Sequence, residues 1–183
     1  MNRKDIIFAI VCGLSVAWVA VDFLGSKGWI FFIILPILSV IGLYLTELVG
    51  KRFLFIHQAG KFALGGAFVS VVDIKVFQLI YWLLPFSLTV KAISFVVATL
   101  VKYWGDKNWT FEKHDTDGMS KELAKFFMVA TTGLLINVVS FYIFGRIETG
   151  LKDVLWMEVS IIFASLVVAS WNFIGYKFIV FKK

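Results

Sequence analysis

The stretch FALGGAFVSVVDIKVFQLIYWLL, residues 62–84, decides the fold class. A helix needs about 20 apolar residues to cross the hydrocarbon of a bilayer, and this run supplies them. It also carries two formal charges, Asp73 and Lys75, two residues apart. A charge in hydrocarbon costs roughly 2.5–3.5 kcal/mol on insertion scales, so each of these side chains needs a reason to be there.

The whole chain has the same character. Of its 183 residues 60% are hydrophobic and 16% charged, and the mean hydropathy is +0.90. Soluble domains are about half apolar and about a quarter charged. The fold class expected is therefore all-α integral membrane. Apolar runs at 6–24, 28–49, 62–84, 88–104, 126–145 and 155–177 give six transmembrane helices. The opening MNRK followed by an apolar run resembles a signal peptide, but the run is long and its loss would leave loop charges that fit worse. It is read as a retained span. Cys12 is the single cysteine, which rules out an intrachain disulfide.

The formal charge is +6, and its placement matters more than its size. With both termini in the cytoplasm, the inner set is Arg3, Lys4, Lys51, Arg52, Lys61, Lys102, Lys107, Lys113, Lys121, Lys125, Lys177, Lys182 and Lys183, which is 13 of the 18 basic residues. Only Lys27, Arg146 and Lys152 fall outside, and Lys75 and Lys91 lie within spans. That asymmetry follows the positive-inside rule. It places the chain in the cell membrane as a multi-pass protein and argues against nucleic acid as a partner. In the loops, Pro85 ends the third span and Ser120 is expected to cap an interfacial helix leading into the fifth. The HDTD at 114–117 reads as a hydrated turn, with no metal implied, and Glu158 as a helix cap. Pro36 predicts a kink in the second span.

The chain repeats itself. KFALGGAFVSVVDIKVF at 61–77 aligns with KFFMVATTGLLINVVSF at 125–141, pairing Lys61 with Lys125 and Asp73 with Asn137. VKYWGDKNWTF at 101–111 aligns with WNFIGYKFIVF at 171–181, pairing Gly105 with Gly175 and Phe111 with Phe181. Each half holds two spans, so both enter the membrane in one direction and form a parallel repeat. The expected organisation is an N-terminal transmembrane hairpin, 1–52, and a four-helix membrane domain, 53–183, with repeats at about 61–111 and 125–181.

The Lys-Phe opening, the small-residue stretch, the polar residue half a helix deep and the aromatic-basic exit ending in WTF or IVF resemble the GtrA-like family of small membrane proteins. The second half, with NFIGYKFIVF at 172–181, is near the family pattern. The first half departs from it, with Lys102 where the family commonly has Asn and Asp106 where an amide is frequent. The resemblance implies translocation of a polyprenyl-phosphate-linked sugar for cell-surface polysaccharide or teichoic acid glycosylation. It also implies a possible membrane glycosyltransferase partner and a possible homo-oligomer.

Asp73 lies twelve residues beyond Lys61, about 18 Å of helix rise, which is near the midplane. Lys75 is about 200° around the helix from it, so the two do not pair on one face. Asp73 is expected to face Asn137 and Asn172 between the repeats, and Lys75 to snorkel or point into a cavity. The plainer reading makes Asp73, Asn137 and Asn172 hydrogen-bonding glue between helices. Lys102, Lys107, Trp171, Asn172 and Lys177 combine cations, amides and rings at the inner interface. Such a set could be an aromatic belt with snorkelling lysines, or a site where ammonium groups meet phosphate and rings stack on sugar. With no nucleophile–base pair and no Gly-rich phosphate loop, no enzyme activity and no cofactor are expected. The competing readings are a non-transporting anchor or regulator of a polyprenyl-phosphate glycosyltransferase, and a small proton-coupled exporter using Asp73.

Overall fold

The computed structural model describes residues 1–83, 87–115, 118–147 and 153–182. Pro85, Thr116, Asp117, Lys152 and the side chain of Glu158 lie outside the described residues. Every regular element among the described residues is helical. In order they are α1 (Arg3–Leu24), a 3-10 segment (Gly25–Ile30), α2 (Phe31–Gly50), α3 (Leu54–Leu83), α4 (Ser87–Gly105), a π-turn (Asp106–Thr110), α5 (Met119–Gly145), α6 (Asp153–Gly175) and a second π-turn (Tyr176–Val180). Four helical runs have the length and apolarity to cross a membrane: Arg3–Gly50, Leu54–Leu83, Met119–Gly145 and Val159–Val180. Large apolar side chains such as Phe23, Trp82 and Leu135 face outward along these runs. Surfaces of that kind are stable against lipid and not against water. The chain is a multi-pass membrane protein.

It divides into two compact units, Met1–Glu112 and Lys113–Lys183. In the first, Asn2 caps α1 by accepting the Lys4 backbone N–H at 3.4 Å. Gly25 ends the helix at φ 59°, a left-handed value that glycine takes without steric cost. The 3-10 segment then reverses the chain, and α2 returns along α1. The Met1 ammonium closes the open end of this hairpin on Glu47 at 2.7 Å. Where the helices cross, a Cβ on Gly13 would lie 2.5 Å from the Pro36 Cα, so two nearly bare backbones touch. Gly13→Val should therefore force the hairpin apart. The expected loss is about 1–3 kcal/mol, as for an overpacked core, read as a lower unfolding midpoint in detergent. No change would mean that the crossing tolerates separation.

In the second unit α5 packs on α6. Its first helical residue is Met119, and Gly118, at φ 70°, holds the cap position without a side-chain bond. The expectation of a Ser120 cap and a separate interfacial helix is thus corrected: α5 is one continuous helix from Met119. Lys113 pairs with Glu122 at 2.7 Å and ties the preceding segment to the first turn. Along the helix pair, Gly175 admits the Val129 side chain, whose Cγ1 would be 2.6 Å from a Cβ there.

Candidate functional site

The polar residues of the first unit gather at two levels. At the end where α1 begins, Lys61 of α3 is buried. Its ammonium lies 3.0 Å from Asp5 Oδ1 on α1 and 3.0 Å from Glu112 Oε1. The Trp109 indole N–H donates to the same Asp5 oxygen at 2.9 Å, and Phe8 stacks on the indole at 5.0 Å. Trp109 reaches this position because α4 does not end as a plain α-helix. The Phe111 N–H bonds to the Asp106 carbonyl at 2.8 Å, a five-residue step that widens the last turn. Single π-turns of this kind are frequent at functional sites.

The wide turn also builds a charge pair. Lys102 donates to Asp106 Oδ1 at 2.8 Å and to the Phe62 carbonyl at 3.3 Å, with its ammonium 3.8 Å from the centre of the Phe62 ring. Thr110 donates its hydroxyl to the same Asp106 oxygen at 3.1 Å. Gly65 faces the pair, and a Cβ there would lie 3.6 Å from the ammonium. Asp106 Oδ2 is buried without a hydrogen-bond partner among the described residues. Lys107 is buried too, with its ammonium 3.5 Å from the Tyr103 hydroxyl. Lys102 is half-buried and Lys107 buried within the unit.

Halfway along α3, Asp73 is satisfied by α4. Lys91 bonds to one carboxylate oxygen, and Ser94 donates to the other at 2.7 Å. Neither partner is one expected from the repeat, Asn137 or Asn172. Lys75, expected to snorkel or to point into a cavity, is met by α1. It pairs with Asp22 of α1 and sits 4.3 Å from the centre of the Trp18 ring. Both differences have one cause. The residues of α3 and of its repeat equivalent do not disclose these partners, which the helices folded against α3 supply.

In the second unit, α6 ends in the same device seventy residues on. The Phe181 N–H bonds to the Tyr176 carbonyl at 2.7 Å. Here the turn holds rings instead of charges. Phe126, fully buried, stacks on Tyr176 at 4.0 Å and meets Phe181 at 6.0 Å. Lys177 is half-buried, 5.9 Å from the Phe173 ring centre and 5.7 Å from that of Phe178. The Trp171 indole donates to the Val129 carbonyl at 3.3 Å. Asn172 Oδ1 is buried against Gly133, whose Cβ would lie 2.5 Å away, and has no hydrogen-bond partner among the described residues. Asn137 is half-buried on α5.

Asp5, Asp22 and Lys91 belong to no motif or repeat match in the sequence. Two acidic residues in α1 and an unmatched lysine in the fourth span are the available signal.

A family model described as the GtrA/DPMS transmembrane domain matches residues 61–181, more than half of the chain. The match begins at Lys61 and leaves α1 and α2 outside it. No curated protein and no solved structure matches the chain.

Proposed function

The chain belongs to the GtrA/DPMS transmembrane-domain family, and from that premise we propose that it moves a polyprenyl-phosphate-linked sugar across the cytoplasmic membrane. The reading has six crossings, both termini in the cytoplasm, and two parallel repeats preceded by an added hairpin. It makes and breaks no covalent bond, so the protein is not an enzyme. The observation that carries it is the family match across both repeats.

The geometry suggests how the roles divide. Lys177, half-buried between two rings, suits a phosphate next to a sugar: the cation meets the phosphate and a ring packs on the sugar face. Trp171 and Asn172 lie six and five residues earlier, on α6. Lys91 has more than half of its side chain exposed and Asp73 about a quarter, so this pair opens toward the outside of the unit. Lys91 can exchange Asp73 for a phosphate, leaving the carboxylate and Ser94 to hydrogen-bond sugar hydroxyls. Lys75, Lys102 and Lys107 act as positioning groups that hold α1, α3 and the π-turn in register, and Asn137 serves as a polar step on α5.

Asp73→Asn in proteoliposomes loaded with a short-chain polyprenyl-phosphate sugar is expected to cut the appearance of sugar in the opposite leaflet by about tenfold. That corresponds to one charge-assisted hydrogen bond. Unchanged transport at normal protein levels would sink the role. The pairing of Lys61, Lys75 and Lys102 inside the chain favours a second reading, a non-transporting anchor or regulator of a polyprenyl-phosphate glycosyltransferase. That reading predicts no transport by the purified protein and co-purification with the enzyme.

A further inference from the structure

Five residues of α3, Lys61, Leu64, Phe68, Val71 and Lys75, recur at spacings of three and four and so share one face of the helix. That face is covered. Lys61 is 3% exposed and Val71 7%, and the other three are half-buried. The cover includes α1, which gives Asp5 to Lys61, packs Ala9 in a cluster with Leu64 and gives Asp22 to Lys75. In the repeat alignment the same five positions of α5 are Lys125, Met128, Thr132, Leu135 and Val139. All five are exposed, Met128 at 68%, Leu135 at 63% and Val139 at 55%. Trp109, which bonds to the α1 carboxylate, corresponds to Ile179, also exposed.

We propose that this face of α5 is a docking seat for a transmembrane helix of a separate protein, one that carries a carboxylate in its first turn and none near its far end. The hairpin shows what a seat of this shape takes: an apolar helix whose early acid meets the leading lysine. The α5 face keeps that lysine as Lys125. Thr132 makes no further polar demand, because its hydroxyl donates to the Met128 carbonyl of its own helix at 2.8 Å. At the far end Val139 replaces Lys75. A partner bearing an acid at the level of Asp22 would therefore leave it unpaired in hydrocarbon, which excludes helices built like α1 itself. The seat thus discriminates by one charge present and one charge absent. The inference stands apart from sugar transport, since it concerns which helix binds α5 and not what crosses the membrane.

The test uses the full chain with Cys12→Ser and Met128→Cys in phosphatidylcholine vesicles. The probe is a synthetic peptide of residues 1–26 with Ala9→Cys, Cys12→Ser and Asp22→Leu. The expected result is an oxidative cross-link between peptide and chain. Restoring Asp22 in the peptide, or introducing Asp5→Lys, lowers the cross-linked fraction by about tenfold, as for a charge left unpaired or set against its like. Lys125→Glu in the chain restores capture of the Asp5→Lys peptide. No cross-link, or one indifferent to these charges, would show a face covered by lipid and overturn the proposal. A Met128→Cys disulfide between two copies of the chain, formed in preference to the peptide adduct, would overturn it in favour of self-association.

Discussion

Replacing Lys102 alone by methionine should cost about 3–5 kcal/mol of stability, the expected loss when one member of a buried ion pair is removed. The size follows from what the ammonium leaves behind. Asp106 is 1% exposed, and one of its oxygens already has no partner among the described residues. Without Lys102, Thr110 is the one hydrogen-bond donor described on the other oxygen. A hydroxyl does not neutralise a carboxylate. The double replacement Lys102→Met with Asp106→Leu removes both charges, and buried pairs exchanged for apolar residues of similar volume come out neutral or more stable by about 1–4 kcal/mol. The double variant should therefore be more stable than either single one. Unfolding midpoints in a graded denaturing detergent measure all three. If Lys102→Met matches the parent chain, the pair is not closed off from water.

Asp5→Ala is the second large effect. One oxygen of this residue serves two donors, the Lys61 ammonium at 3.0 Å and the Trp109 indole at 2.9 Å. Its removal strands a buried N–H and leaves Lys61 with Glu112, whose side chain is mostly exposed. An expected cost of about 2–3 kcal/mol corresponds to losing hydrogen bonds to a charged group and leaving a donor unsatisfied. The repeat provides an internal control. Lys125 aligns with Lys61 but is exposed, so Lys125→Ala should change stability by no more than about 0.5 kcal/mol. Equal losses at Asp5 and Lys125 would contradict the burial that separates the two positions. Trp109 fluorescence offers a second reading, because loss of the indole bond should shift its emission.

The sequence made the helices legible because hydrocarbon imposes one rule on every segment: the backbone must satisfy itself. The apolar runs at 6–24 and 126–145 fall on α1 and α5 for that reason. The likeness of the two exit segments was legible too, since Gly105 and Gly175 precede matching π-turns. The π-turns themselves left no trace, because a five-residue hydrogen bond depends on how Trp109 or Tyr176 is received by neighbouring helices. The charges were half legible. Counting along α3 correctly separated Asp73 from Lys75, but no periodicity within one helix announces that Asp22 or Lys91 will lie across from it. Long-range pairing is a property of how helices fold back on each other. Here it depends on Gly25 turning α1 into α2 and on α4 returning along α3.

The pairs between α1 and α3 have a consequence in time. Asp22 and Lys75 are 53 residues apart, and Asp5 and Lys61 are 61 − 5 = 56 apart. At about 5–20 residues per second of synthesis, each gap lasts roughly 3–11 s. For that interval Asp5 and Asp22 of the newly made hairpin lack the lysines that neutralise them. The ribosome thus delivers α1 as an incomplete half of a charge pattern, and the arrival of α3 completes it.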